Sequence, residues 1–293
     1  MLDLPLADLW SLFRWAILSS IVAGFVVSRI GAFLLVRRVG FYGVALPQLA
    51  ATGVALGLAA PTWLATVGLA EIDVEELLHD PHALQAYLLP WVAAATFSGL
   101  LLLVAFSKRK GTESARVAAV FALSSALAVV LGLYAPIGEQ KTAELLSGQI
   151  LTVGLHEFEV LAVTYALVLL LLWRYSNDLV LVSFDPDTAR VLGRPKRRLE
   201  LLFHALLGAT VTVGALIVGP LVLFGLLVVP PLAAHGVARS MRGYLLLSSV
   251  LGVVAAVVGV LLSLQFDWPF GPAVVLAAGA ELLPCVLIRR LRR

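Results

Sequence analysis

Imidazole and carboxylate side chains concentrate in two stretches of a chain that is otherwise poor in them. The first, EIDVEELLHDPH (Glu71–His82), holds Glu71, Asp73, Glu75, Glu76, His79, Asp80 and His82. Glu75 and His79 are four apart, so they share a side if the stretch is helical. Carboxylate and imidazole together suit a divalent metal such as zinc or manganese, which makes Glu75, His79 and His82 candidate ligands. The same residues also read as a solvated or docking surface, the ordinary role of an acidic loop. The second stretch, IGEQKTAELLSGQILTVGLHE (Ile137–Glu157), supplies Glu139, Glu144, His156 and Glu157, with Glu159 just beyond. It reads either as a solvated re-entrant loop or as a docking area. Two further charges, Arg29 and Glu281, lie inside long apolar runs, where a charge needs a partner. Each precedes a basic residue (Arg37, Arg289) by eight positions, a rise of about 12 Å in a helix. The two therefore sit at similar depth, and a mutual ion pair is the simplest way to satisfy both. The alternative is that Glu281 faces a cation pathway.

The elements that hold these groups are set by composition. Of 293 residues, 61% are hydrophobic and 13% charged, and the mean hydropathy is +1.00. Soluble domains run at about 45–50% apolar and about 25% charged. A bilayer core about 30 Å thick needs about 20 apolar residues as helix. Nine apolar segments approach or meet that: 12–36, 44–69, 86–106, 115–134, 158–173, 201–218, 221–234, 244–264 and 273–288. The sixth and seventh are weak, split by Gly219–Pro220 and ended by Pro230–Pro231, and read as short or broken helices around a turn inside the membrane. Such breaks are tolerated where protein or water satisfies the backbone. If the segments alternate from an outer N-terminus, every basic cluster falls on one face. These clusters are Arg37–Arg38, Lys108–Lys110 with Arg116, Arg190–Arg198, Arg239 with Arg242, and Arg289–Arg293. The positive-inside bias makes that face cytoplasmic. The N-terminal MLDLPLADLW is acidic and does not read as a cleaved signal peptide. One cysteine, Cys285, excludes a disulfide framework within the chain. A net charge of +3, spread in short clusters, is no nucleic-acid signature.

Between the fifth and sixth segments stands SFDPDTARVLGRPKRR (Ser183–Arg198), a charged island on the cytoplasmic face. Asp185 is a good N-cap, Pro186 suits the first helical position, and Asp187 favours the positive end of the dipole. Gly193 is a good C′ residue and Pro195 prevents continuation. The spacing predicts a helix over Pro186–Leu192 that presents Ala189 and Leu192, with Phe184 just before it. Two turns do not hold in water without packing. The partner surface is either the chain's own bundle or a separate cytoplasmic subunit.

Several stretches, in order along the chain, resemble the permease subunits of ABC importers for zinc, manganese and iron. LVSFDPDTARVLGRPKRRLELL matches their SFD-x-x-x-A-x-x-LG coupling segment, and VGALIVGPLVLFGLLVVPPLAA their following helix pair. FLLVRRVGFYGVAL, LLSGQIL and DWPFGPAVVLAA match three further motifs. The resemblance implies an all-α polytopic membrane protein with about 8–9 transmembrane helices and a type II ABC importer-like permease fold. It implies one permease domain over residues 1–293, with an ATPase-coupling segment at 183–198 in which Phe184, Asp185, Pro186, Ala189, Leu192 and Gly193 take part. The implied partners are cytoplasmic ATPase subunits, an extracytoplasmic substrate-binding protein, a second permease copy and membrane lipid, in a bacterial inner membrane. No cofactor is implied, and ATP hydrolysis falls to the separate subunit. The chain has no GxxxxGK[ST] phosphate loop and no intramembrane hydrolase motif.

The sequence departs from the family at one place that bears on cargo. The family pattern GDALSHA carries an Asp and a His one helical turn apart. Here GVALPQL (Gly43–Leu49) puts Val44 and Gln48 at those positions, so the pathway candidates are Val44, Gln48 and Glu281. The divalent-metal reading and a non-metal cargo on the same fold both stand at this point.

Overall fold

In a computed structural model, the chain is described over residues 6–66, 81–107, 113–135, 150 and 153–291. The long apolar runs become helices α1 (Leu6–Val36), α2 (Tyr42–Thr66), α3 (Pro81–Ser107), α4 (Glu113–Gly132) and α5 (Leu155–Arg174). Two short helices follow, α6 (Ser176–Phe184) and α7 (Pro186–Val191). The last four are α8 (Lys196–Ile217), α9 (Pro220–His235), α10 (Met241–Phe266) and α11 (Phe270–Leu291). Eight of them are long and apolar enough to cross a membrane. No strand occurs among the described residues.

The weak pair of segments resolves unequally. The sixth is a full span, because helix begins at Lys196 within the basic run and continues for 22 residues. The seventh, α9, has only 16 residues, roughly 24 Å at 1.5 Å per residue, short of a bilayer core. Gly219, with φ +102, makes the turn between them in a backbone region that side chains avoid. Gly43, at the cytoplasmic start of α2, lies against Leu227 and Val228 of α9.

This short helix is apolar all round, as a fully enclosed helix must be, and it packs against α1, α2, α10 and α11. Its prolines would strand backbone carbonyls, and neighbouring helices answer them. Pro230 has no N–H for the carbonyl of Leu226. Ser28 of α1 donates to that carbonyl instead, at 3.0 Å. The carbonyl of Leu227, freed by Pro231, lies where Gly31 of α1 leaves room. In α2, Pro61 frees the carbonyl of Gly57, and Tyr87 of α3 donates its hydroxyl to it at 3.0 Å. The carbonyls of Leu226 and Gly57 are thus satisfied by protein rather than lipid.

The helix pair with the most extensive packing is α1 with α10. Gly24 and Gly252 bring the two backbones into direct contact, and Ser248 donates to the carbonyl of Ser28 at 2.8 Å. Small residues and hydroxyl bonds are the usual means of helix association where lipid removes the hydrophobic drive. The α1–α10 contact also corrects an expectation. Arg29 and Glu281 form no ion pair: α1 lies against α9 and α10, which stand between it and α11. Equal depth did not bring the two charges to facing surfaces. One oxygen of Glu281 is buried without a hydrogen-bond partner.

Candidate functional site

With its first turns α9 faces α2 and α4 across a cavity of about 260 Å³. Val44, Pro47, Gln48 and Ala51 of α2 line one side, and Pro220, Leu221 and Phe224 of α9 the other, with Phe121 of α4 closing it. The two sequence-derived pathway residues, Val44 and Gln48, therefore meet in one cavity. Glu281 does not line it. Thr52, one turn beyond Gln48, is tied down: its hydroxyl contacts the carbonyls of Gln48 at 3.0 Å and Ser124 at 2.9 Å, fixing α2 to α4. Gln48 carries the one polar side chain of the lining. No Asp, Glu or His is present there, so the cavity offers an amide rather than a metal ligand set. Phe121 and Phe224 carried no sequence signal; Pro220 did, through the Gly-Pro break.

A second group lies at the opposite end of the bundle. His82, at the start of α3, contacts Glu157 at the start of α5, with Nδ1 to Oε1 at 2.9 Å. The other carboxylate oxygen accepts the backbone N–H of Gly154 at 2.9 Å, which holds Glu157 in place, buried. The His156 ring sits edge-on to His82 at 4.8 Å. The first outer stretch is thus joined to the second, whereas the sequence suggested a pairing of Glu75 with His79. Those two residues lie outside the described residues. Among the described residues no three His, Cys, Asp or Glu side chains are placed to hold a metal ion. His82, Glu157 and His156 act as a clasp between the outer ends of α3 and α5.

The third site is the charged island of residues 183–198. Asp185 accepts from the N–H of Thr188 at 2.9 Å and from its hydroxyl at 2.5 Å, capping α7. At the other end the N–H of Arg194 bonds Ala189 O at 2.9 Å and that of Gly193 bonds Arg190 O at 3.0 Å. With Gly193 at φ +68, this is a Schellman motif. Helix α7 ends at Val191, with Leu192 as its C-cap. The segment is held to the bundle by Arg37, whose Nε donates to Ser183 Oγ at 3.0 Å while its guanidinium lies 4.1 Å from the Phe203 ring centroid. Arg194 reaches back to Asp178 at 3.4 Å.

The direction of this helix differs from expectation. Ala189 is fully buried against the chain's own core and presents nothing outward. The exposed apolar side chains are Phe184 at 65%, Leu192 at 62% and Val191 at 87%. Val191 was not among the sequence candidates; its neighbour two residues earlier packs inward, and that turns Val191 out.

The cap has a pH signature. The hydroxyl and N–H of Thr188 hold the Asp185 carboxyl below its usual range. A carboxyl whose pKa is lower in the folded than in the unfolded chain stabilises above its unfolded value, about pH 4, and that contribution disappears as pH falls through the lowered value. Acidification from about pH 6 to about pH 3 is therefore expected to fray α7. Amide exchange at Ala189–Val191, corrected for intrinsic rate, should accelerate in the wild type and not in Asp185→Asn, which caps without titrating. Equal acid response in the two would show that the cap does not control this helix.

A membrane bundle that is helical throughout its described spans, with a short helix beside a cavity and a capped helix in the charged island, has the build of a transport permease. The model of the ABC 3 transport family matches residues 10–289, and the chain belongs to that family. It is similar to the chelated iron transport system membrane protein YfeD of Yersinia pestis, at 26% identity over 89% of this chain and 80% of that one. It is also similar to the manganese import system permease protein ScaB of Streptococcus gordonii, at 24% identity over 90% and 86%. Among solved structures, PsaBC from Streptococcus pneumoniae in complex with Fab aligns with a TM-score of 0.73 and 22% identity, covering 95% of this chain and 93% of that one. The chain is a multi-pass membrane protein with the fold of that PsaBC chain.

Proposed function

We propose that this chain is the membrane-spanning permease subunit of an ABC importer for a divalent metal, zinc, manganese or iron. A separate cytoplasmic ATPase drives it, an extracytoplasmic binding protein delivers the cargo, and the permease works as a pair in the bacterial cytoplasmic membrane. The chain itself carries out no catalysis. The metal comes from the relatives, which are named for manganese and chelated iron. The observation that carries the permease reading is the cavity beside the short helix α9, reached from α2 where the family's motif falls. Reconstitution of the permease with its ATPase and binding protein in vesicles, followed by ATP-dependent uptake of manganese, zinc and iron, is the test. Absence of uptake of all three would overturn the metal assignment.

The lining favours a second reading in one respect. Val44 and Gln48 give the cavity no charge, so a cargo other than a bare cation would meet less resistance there. The distinction is testable at those two positions. Val44→Asp with Gln48→His places a carboxylate and an imidazole one turn apart. The double variant is expected to bind manganese or zinc at least about tenfold more tightly than the parent. Titration of both purified proteins, read by calorimetry, decides it. Equal binding would mean that these positions do not govern a metal site.

A further inference from the structure

We propose that the cytoplasmic cavity between the end of α1 and the start of α10 is a phosphate-binding site, occupied by the headgroup of an anionic phospholipid. The cavity measures about 490 Å³, within the roughly 300–1,000 Å³ of small-ligand sites. Arg38 and Arg239 line it from two different turns of the chain, and no Asp or Glu does. Both arginines are exposed, and neither forms an ion pair among the described residues. Tyr244, also on the wall, is 5% exposed. Its hydroxyl is buried with no hydrogen-bond partner, while the edge-on His235 ring, 5.8 Å away, flanks its aromatic face. A buried unpaired hydroxyl is rare enough to need a reason, and a phosphate oxygen that displaced its present cover would supply one. The start of α10, a helix of 26 residues, adds the positive end of its dipole.

Arg38 itself is held at φ +61, a left-handed conformation unfavourable for a side chain of its kind. Glycine would be relaxed there, so an arginine at that point is kept against the backbone's preference. Leu35, Val36, Phe184, Ala238 and Met241 give the remaining wall an apolar side, beside the polar His235 and Ser240. A soluble anion has no use for such a wall; the glycerol and acyl base of a phospholipid does. Its depth agrees. Val36 ends one span and Met241 begins another, so the cavity opens where the hydrocarbon core meets the headgroups. Phe184, which leads into α7, forms part of the same wall. An occupant therefore contacts the base of the coupling segment.

The test uses the purified permease in a neutral detergent, titrated with short-chain phosphatidylglycerol, phosphatidylcholine, glycerol phosphate and inorganic phosphate, with thermal stability as readout. Wild-type protein should show a saturable rise with phosphatidylglycerol and none with phosphatidylcholine. Arg38→Gly with Arg239→Gln should weaken the apparent affinity by about tenfold or more, since each arginine near an anionic surface contributes on the order of tenfold or a little less. The glycine fits the left-handed backbone, so unliganded stability should not fall. Tyr244→Phe should weaken binding less, with the bundle intact. An undiminished phosphatidylglycerol response in the double variant, or an equal one to phosphatidylcholine, overturns the site. A response to inorganic phosphate equal to that for phosphatidylglycerol, and lost in the double variant, supports the phosphate site and overturns the lipid as its source.

Discussion

Val191→Asp is expected to leave the permease folded and to strip it of the proposed ATPase subunit. Val191 is 87% exposed, so a charge there costs the isolated chain little, within about 0.5 kcal/mol. In the proposed complex the same side chain, with Phe184 and Leu192, forms the apolar surface that a partner must cover. A carboxylate buried in such an interface without a counter-charge opposes binding by several kcal/mol, a loss of about a hundredfold or more in affinity. Ala189→Asp should behave in the opposite way. Its site is fully enclosed by the chain's own core, so the substitution damages the segment before any partner arrives. Co-purification of the ATPase, its stimulation by the permease, and thermal stability of the permease separate the two effects. If Val191→Asp recruits and stimulates the ATPase normally, α7 is a connector between spans and the coupling role is wrong.

Gly252→Val is expected to be strongly damaging to the bundle. A Cβ at Gly252 would collide with the carbonyl oxygen of Gly24 and would lie 2.7 Å from Ser28 Cβ. Neither obstacle is a flexible side-chain tip, so α1 and α10 must move apart. Separation would also strain the hydroxyl bonds of Ser248 and Ser28, which fasten α10 to α1 and α1 to α9. Overpacking of this kind costs about 3 kcal/mol. Gly279→Val is the control, because nothing lies within 4 Å of a Cβ built there. It carries the same change in helix propensity without the collision. Thermal unfolding in one detergent should show a large loss for Gly252→Val and a small one for Gly279→Val. Equal losses would mean that glycine's backbone properties, and not the close crossing, set the effect.

What could be read from the chain beforehand was what depends on near neighbours in sequence. The spans follow from apolar length and the caps of α7 from Asp185, Pro186 and Gly193, each acting within a few residues. The break at Gly219–Pro220 was visible for the same reason. Facing relations were not. Which side of α7 turns inward depends on the core beneath it, and a six-residue helix has too few positions for a periodic signal. Arg29 and Glu281 share a depth, but depth says nothing of the angle around each helix axis or of a helix standing between. His82 meets Glu157 across 75 positions of chain, a distance over which no local rule operates. Phe121 enters the cavity through the packing of α4 on α2, again a tertiary relation.

The short helix α9 is also a beam that reaches two rooms. Its first turns wall the cavity beside Gln48, and its last residue, His235, walls the basic cavity at the cytoplasmic surface. Between them Pro230 and Pro231 remove two successive rungs of its backbone ladder, leaving a joint whose slack is taken up by Ser28 of another helix rather than by α9 itself. The shapes of the two rooms are consequently not independent: a tilt of the beam that widens one redraws the other, and the joint sets how much of the tilt is passed along.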